Sequence, residues 1–558
     1  MEILDSRRLT GPNLQTRVPA AIAEIAFASD EPVDAAIEAW RAALARMLGA
    51  LGWHSDPFVR IFRDRSGAAI GFSAPFDVLY AATEINEWAI SEANAVLAGR
   101  GQRDLERGAE RIRTMIAEEA RPDVVALVEE AHRRDVPELY DEDGFTLGLG
   151  AHSITWALDG VPTREQVPWD RLGSIPTVAV TGTNGKTTCA RWIARTLQLA
   201  GFIAGNTSTD GISLDGRTIE DGDCTGPGAA RRLLRRTELQ IAVLEAARGG
   251  LLRRGFALPR CDVALVTNVG NDHIGEFGIL DIEELAQVKA IVGHLVHPGG
   301  RVVLGADSDP VTRMRGRFAA PEVWFSLRAD HPLVLDHLGN GGEAWWVEDR
   351  AIVHGAGDHR EQVIGTDDIE LSLGGVAVHN LANALAVCAV VDALGIPRPT
   401  LVRALQQFGR DPHDNPGRLE RYDVGGVQVV LDFAHNLDGL RRQAEVIAAL
   451  RHQRSGRFLV SFGMAGDRSD EMLAALAHEI AAMGPDRVIV RDMPDYLRGR
   501  VLGEVPDILR RAFVDAGVPP SAIDQAADER ASVAHALAWA RPGDTIAVFC
   551  HTEREPLW

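Results

Sequence analysis

The run Thr181-Gly182-Thr183-Asn184-Gly185-Lys186-Thr187-Thr188 joins a short apolar stretch to a helical pattern carried by Ala190, Ile193, Ala194, Leu197 and Leu199. Strand, glycine-bearing turn and helix start form a cradle for phosphate, because the loop N–H groups and the helix N-terminus point at phosphate oxygens. A lysine in such a loop reaches the β- and γ-phosphates, and the hydroxyl after it holds Mg²⁺. Lys186 and Thr187 stand at those places, with Gly182, Thr183, Asn184, Gly185 and Thr188 around them. The general phosphate-loop spacing wants a glycine where Val180 stands, so this is a special form of the loop.

Further polar residues fall at the ends of apolar runs. Glu245 closes Ala242-Val243-Leu244, and Asn271-Asp272-His273 follows Val266-Thr267-Asn268. Magnesium beside phosphates takes oxygen ligands and occasionally imidazole. Taken singly, Glu245 is a metal ligand or a salt-bridged acid, and His273 is a ligand or a satisfied structural histidine. Together, downstream of a phosphate loop, they point to metal work.

These residues need elements to position them. Strand patterns at Thr177–Val180, Gln240–Leu244, Val263–Thr267 and Arg301–Leu304 alternate with helical ones at Gly228–Arg236 and Ile282–Leu295. Such alternation implies a mostly parallel sheet covered on both faces, with ligands at the carboxyl ends of its strands. After Asn415-Pro416-Gly417-Arg418, four more strand patterns (Val427–Asp432, Arg457–Phe462, Arg487–Val490, Asp544–Phe549) alternate with helices in a smaller α/β unit. The first 165 residues show helical periodicity at Val33–Leu51, Phe76–Leu97, Asp104–Glu118 and Pro122–His132, and no nucleophile or phosphate loop. Glu84, Asn86, Glu87 and Glu92 share one helix there and read as a wet face. The expected domains are 1–165, 173–411 and 412–558. The length of 558 residues accommodates three domains of ordinary size.

A net charge of −21 argues against a general binder of nucleic acid or anionic membrane. Cys189, Cys224, Cys261, Cys388 and Cys550 are scattered and lack metal-like spacing, which suits a reducing cytoplasm. The N-terminus has no apolar leader, and no stretch of about 18 apolar residues is present, so neither a signal peptide nor a membrane span is expected.

From the phosphate loop onward the chain resembles the Mur ligase family, and within it the cyanophycin synthetase branch. The resemblance rests on Gly182–Thr188, Thr207-Ser208-Thr209-Asp210-Gly211, Gly222–Pro227, Leu244-Glu245-Ala246-Ala247-Arg248-Gly249-Gly250 and Thr267–Gly275. It continues through His379–Ala384, Asn415–Arg418, Asp432–Asn436, Gly463–Arg468 and Leu497–Arg500. Gly275 stands where peptidoglycan-type members usually carry Asp, as in the cyanophycin branch. Arg8–Asn13 and Phe145–Gly150 resemble the N-terminal domain of that branch. Its large ATP-grasp domain is missing here, since the chain passes almost directly from Gly150 to the phosphate loop.

The resemblance implies an α/β fold: a phosphate-loop central domain with a parallel sheet, a smaller Rossmann-like C-terminal domain that closes onto it, and an α+β N-terminal domain. It implies an ATP-dependent, ADP-forming amide ligase that activates a carboxylate as an acyl phosphate and couples it to an amino acid amine. Lys186 and Thr187 would hold phosphates and Mg²⁺, with Glu245 and His273 on metal. Lys289 matches a lysine that many relatives carry as a carbamate; unmodified, it is a helix-surface charge or a phosphate contact. Asn383 resembles the adenine contact, Arg418 and Asp432 nucleotide contacts. His435 and Asn436 lie where the amine should sit, and Thr207 and Thr209 resemble residues facing the acceptor carboxylate. Relatives associate, so a homo-oligomer is expected. The alternatives are a Mur- or folylpolyglutamate-type ligase with another acceptor, a phosphate-loop phosphotransferase, and a non-catalytic scaffold partner of a separate ligase.

Overall fold

The computed structural model describes residues 1–551 apart from 30, 101–103, 273 and 453. The chain forms two compact units. One comprises Met1–Trp346 with His354–Glu361 and Leu385–Leu401; the other comprises Val347–Val353, Gln362–Ala384 and the chain from Val402 onward.

The first unit opens with an antiparallel sheet of order β1-β2-β4-β3, from strands β1 (Glu2–Leu9), β2 (Ala20–Ala26), β3 (Pro57–Ile61) and β4 (Gly67–Ser73). Strand alternation serves two faces. Ala21, Ala23 and Ile25 of β2 pack with α1 (Val33–Leu51), α2 (Leu79–Leu97) and α3 (Leu105–Glu119) around the buried Trp40. Ala20 and Ile22 face the other way, onto Leu9, Phe62 and Leu280. Pro122–Arg133 is α4. The wet-face reading of α2 fails at two of its four residues. Asn86 is fully buried, accepts from Trp40 Nε1 at 3.0 Å and donates to Ile70 O at 3.1 Å. Glu92 is fully buried and paired with Arg46 at 2.9 Å. Both polar side chains are satisfied inside the core, which is what makes their burial tolerable.

A small sheet of β5 (Glu138–Asp141), β6 (Gly144–Leu147) and β7 (Ile154–Trp156) follows. Then comes a large mixed sheet, nine of whose eleven strands run in the order β11-β10-β9-β12-β8-β13-β14-β15-β16. These strands are β8 (Thr177–Thr181), β9 (Ala204–Ser208), β10 (Gly211–Leu214), β11 (Arg217–Asp221), β12 (Ile241–Glu245), β13 (Cys261–Val266), β14 (Val296–Gly305), β15 (Glu322–Ser326) and β16 (Glu343–Glu348). All are parallel except β10, which runs antiparallel to β9 and β11. β8 is buried along its whole length, as an apolar strand covered on both faces should be. The chain leaves β8 through α5 (Lys186–Leu199) to one side, and later crosses to the other side from β12 to β13. That reversal opens a crevice at the carboxyl ends of β8, β12 and β13.

The second unit holds a six-stranded sheet. In spatial order its strands are Arg418–Val424, Val427–Asp432, Thr545–Phe549, Phe458–Phe462, Arg487–Arg491 and Ile523–Ala526. The first pair is antiparallel and the rest are parallel. Helices cover both faces, with Phe458, Val460 and Phe462 in one core and Leu459, Ile489 and Ile546 in the other.

Candidate active site

The phosphate loop leaves β8 through Gly182 and ends at Gly185, which caps α5 at φ 85°. Gly182 is required by space: a Cβ there would lie 1.9 Å from Thr267 Oγ1. Asn268 holds the loop from behind, its O accepting from Thr183 N and its Oδ1 from Asn184 N, both at 2.9 Å. Thr267 Oγ1 donates to Asn184 O at 2.7 Å. The Thr267-Asn268 pair at the end of β13 is therefore a brace for the loop. Val180, where a general phosphate loop has glycine, lies within β8 and is fully buried.

At the mouth of this loop Thr187 Oγ1 donates to Glu245 Oε2 at 2.9 Å, and Thr209 Oγ1 lies 2.8 Å from the same hydroxyl. Glu245 ends β12 and is 3 % exposed. Thr207 is fully buried and its Oγ1 accepts from Glu245 N at 3.1 Å, so it anchors the strand end that aims the carboxylate. Beside Thr209, Asp210 pairs with Arg191 at 2.9 Å. The hydroxyl and carboxylate oxygens at Thr187, Thr209 and Glu245 are hard donors, the set that suits Mg²⁺. His273 lies outside the described residues.

Two amines flank the loop. Lys186 Nζ donates to Thr183 O at 2.9 Å. Lys289, on α8 (Ile282–His294), is 3 % exposed and donates from Nζ to Gly182 O at 2.7 Å. Burial, and then the neighbouring Lys186 charge, push the Lys289 ammonium well below the usual lysine range. Lys289 is thus an interior amine tied to the loop backbone, in place of the helix-surface charge that was one expectation.

The remaining candidates belong to the second unit. Asp432 closes its strand with both carboxylate oxygens on backbone: Oδ2 accepts from Leu419 N at 2.9 Å and Oδ1 from Ala434 N at 2.8 Å. Burial lifts its carboxyl to about 6, against the pull of the Ala434 N–H and the Arg418 charge. Arg418 is the cross-strand neighbour of Asp432 and lies 4.4 Å over the Phe433 ring. His435 Nδ1 is 3.1 Å from Phe433 O, and Asn436 Oδ1 accepts from Gly439 N at 2.8 Å at the start of helix Leu437–His452. Asn383, on helix Val378–Ala393, donates to Asn380 Oδ1 at 3.1 Å. The structure so gathers Gly182–Thr188, Thr207, Thr209, Glu245 and Lys289 in one group, and Arg418, Asp432, His435 and Asn436 in another.

Sequence reasoning assigned no role to Arg248, which is 9 % exposed and pairs with Glu276 through Nη2; its only signal was its place three residues after Glu245. It also passed over Glu343, His354 and Asp392, whose ligand atoms lie within 4.8 Å of one another. There Arg398 Nη2 donates to His354 Nδ1 at 2.9 Å, leaving the proton on Nε2, which lies 3.3 Å from Glu343 Oε1. A metal-bearing imidazole has the opposite arrangement, so this is an ion-pair network.

Two family models match the chain, the Mur ligase middle domain over residues 180–391 and the Mur ligase, glutamate ligase domain over residues 417–550. The chain belongs to the Mur ligase family. Cyanophycin synthetase of Synechocystis sp. is 35% identical over 375 residues, which is 67% of this chain but 42% of that protein. The chain thus spans less than half the length of the cyanophycin synthetases it resembles. Only residues 157–176 lie between β7 and β8, too few for an ATP-grasp domain. The UDP-N-acetylmuramoyl-L-alanyl-D-glutamate–2,6-diaminopimelate ligase of Mesorhizobium japonicum is 30% identical over 381 residues, covering 66% of this chain and 72% of that one. Among solved structures, E. coli FolC in complex with DHPP and ADP matches at 18% identity and a TM-score of 0.49, over 67% of this chain and 85% of that one. No helix among the described residues is long and apolar enough to cross a membrane.

Proposed function

We propose that the chain is an ATP-dependent, ADP-forming carboxylate–amine ligase, cyanophycin synthetase-like, that makes one kind of peptide or isopeptide bond. A carboxylate oxygen of the acceptor attacks the γ-phosphorus of ATP, and the bond to the ADP oxygen breaks. The amine of an amino acid then attacks the carbonyl carbon of the acyl phosphate. The tetrahedral adduct loses a proton and expels inorganic phosphate. Positioning and charge neutralisation carry such a reaction.

The observation that supports this reading is the 2.9 Å contact between Thr187 Oγ1 and the Glu245 carboxylate, at a phosphate loop flanked by Lys186 and Lys289. Gly182–Thr188 cradle the phosphates through backbone N–H groups, and Lys186 swings from Thr183 O to the transferring phosphoryl group. Thr187, Glu245 and His273 would hold Mg²⁺, which when bound would neutralise phosphate charge. Thr207 aims Glu245 and Thr209 faces the acceptor. Burial disfavours the ammonium form of Lys289, and its amine would add CO₂ with release of a proton to give a carbamate, an anion that would suit a second metal. In the second unit Asn383, Arg418 and Asp432 serve the nucleotide, and His435 and Asn436 the amine. The reading takes 1–165, 173–411 and 412–558 as the domains, a cytoplasmic setting, and a self-associating chain.

The test is phosphate release from ATP in pools of amino acids crossed with pools of carboxylate acceptors, with mass spectrometry of the products. Release that needs both an amine and an acid, with a product lighter by one water than their sum, is expected. Folded protein that turns over in no pool sinks the reading.

A further inference from the structure

The turn that follows Asn271-Asp272 is held from outside its own sheet. Arg60 of β3 spreads its guanidinium over two consecutive carbonyls, donating from Nη2 to Phe277 O and from Nη1 to Gly278 O, each at 2.8 Å. The Phe62 ring fills the place a Cβ on Gly278 would take, 2.1 Å from that point, and Gly278 itself has φ 62°. Arg63 pairs with Asp281, whose Oδ1 caps α8 by accepting from Glu284 N at 2.9 Å. Phe277 is a non-glycine residue at φ 54°. That conformation is strained for a residue with a side chain, and it persists where the surroundings impose it. Here they do: the Phe277 ring has the guanidinium carbons of Arg7, Arg253 and Arg248 at 5.1, 5.3 and 5.8 Å.

The consequence falls on Arg248. Glu276, next in the same turn, takes its Nη2. Arg248 Nη1 is buried and has no hydrogen-bond partner among the described residues. An unmet buried guanidinium N–H is costly, and so points to an acceptor that arrives with a ligand. Arg248 stands on α7 (Arg248–Arg253), which packs on α8, and the Lys289 ammonium feels its charge together with that of Lys186. Two positive side chains, Lys186 and Arg248, thus act on the interior amine that is tied to the phosphate loop through Gly182 O. The missing partner is an anionic oxygen, of a carboxylate or of a phosphoryl group.

We propose that Arg248 is a substrate-anion contact of the ligase site, and that Arg60 is the positioning residue that fixes it through the Phe277–Gly278 turn and Glu276. The N-terminal sheet thereby becomes a working part of the site. This rests on the ligase reading above, and the two can fail separately.

The test uses the full chain loaded with ADP and Mg²⁺, titrated calorimetrically with inorganic phosphate and, separately, with succinate. A fluorescent ADP analogue and the melting temperature are followed in parallel for wild type, Arg248→Lys, Arg248→Ala, Arg60→Lys and Arg60→Ala. Wild type should bind one of the two anions, and which one it binds separates a phosphoryl from a carboxylate contact. Arg248→Ala should weaken that anion by about tenfold or more, the worth of one charge-assisted hydrogen bond, and Arg248→Lys by less. Arg60→Ala should weaken the same anion several-fold at unchanged ADP affinity and melting temperature, with Arg60→Lys recovering part of the loss. Wild type that binds ADP but neither anion, or an Arg248→Ala chain that binds as wild type does, overturns the proposal. So does an Arg60→Ala chain that loses ADP, anion and melting temperature in step. Wild type that fails to bind ADP instead overturns the ligase reading.

Discussion

The two groups of candidate residues are built differently. Around the phosphate loop, side chains meet side chains: Thr187 with Glu245 and Thr209, Asp210 with Arg191, and Arg248 with Glu276. Charges of both signs are held in a small buried space, and the amines of Lys186 and Lys289 rest on single loop carbonyls that a phosphate oxygen outbids. Around Asp432, in contrast, the hydrogen bonds described run from side chain to nearby backbone. Asp432 serves two N–H groups, His435 a carbonyl and Asn436 the start of a helix. The first group is arranged to meet charge that comes from outside. In the second, those backbone contacts hold the shape of a loop.

Substitutions should separate the two. The largest effect is expected at Lys186→Ala, a drop in turnover on the order of a thousandfold, the worth of a lost transition-state donor, at a melting temperature near wild type. Steady-state ADP formation checks it, and an active mutant removes Lys186 from the chemistry. Glu245→Gln should raise the Mg²⁺ concentration needed for half-maximal nucleotide binding by about tenfold or more, about 1.4 kcal/mol of metal affinity. A Mg²⁺ titration unchanged from wild type would make Glu245 a structural acid.

Asp432→Ala should instead cost stability, about 1–3 kcal/mol, because the Leu419 and Ala434 N–H groups lose their acceptor. Denaturant unfolding measures it; lost turnover at full stability would place Asp432 with the first group. Its ionisation has a definite sign. The folded carboxyl titrates at about 6, above the unfolded value near 4, so the folded chain binds that proton more tightly. The contribution favours folding below about pH 4 and is lost as pH rises through about 6. Carbon-detected NMR of labelled aspartate should show a titration near 6 in wild type that is absent in Asp432→Ala. The smallest effect is expected at Asn436→Ala, about 1 kcal/mol for a lost helix cap, with the amide exchange of Gly439 rising first.

The phosphate loop, β8, β12 and α8 were readable because their signals are local: an apolar run, a glycine turn, a periodic helix. Lys289 could not be placed as interior from its helix alone, since its burial is made by the loop across from it. The N-terminal strands β2 and β4 were missed because Ala-Ala-Ile-Ala-Glu-Ile-Ala and Gly-Ala-Ala-Ile-Gly-Phe-Ser are poor in the branched and aromatic residues that mark strands; their partners and the helices over them decide the matter. Asn86 and Glu92 looked solvated because polarity is visible in a sequence, and the partners Trp40 and Arg46, tens of residues away, are not. Arg248 stood in a quoted motif with no role, since what makes it notable is an unmet hydrogen bond.

The order of strands around β8 has a consequence for how the protein is made. Val178 pairs on one side with Val243 and on the other with Val263, so both neighbours of β8 are synthesised long after it. The brace on the phosphate loop, Thr267 and Asn268, comes later still. Contacts so distant along the chain form late. A growing polypeptide therefore carries the loop out of the ribosome as an unformed segment, and the expected result is that chains stalled just short of Thr267 bind no ATP analogue while chains extended past α8 do.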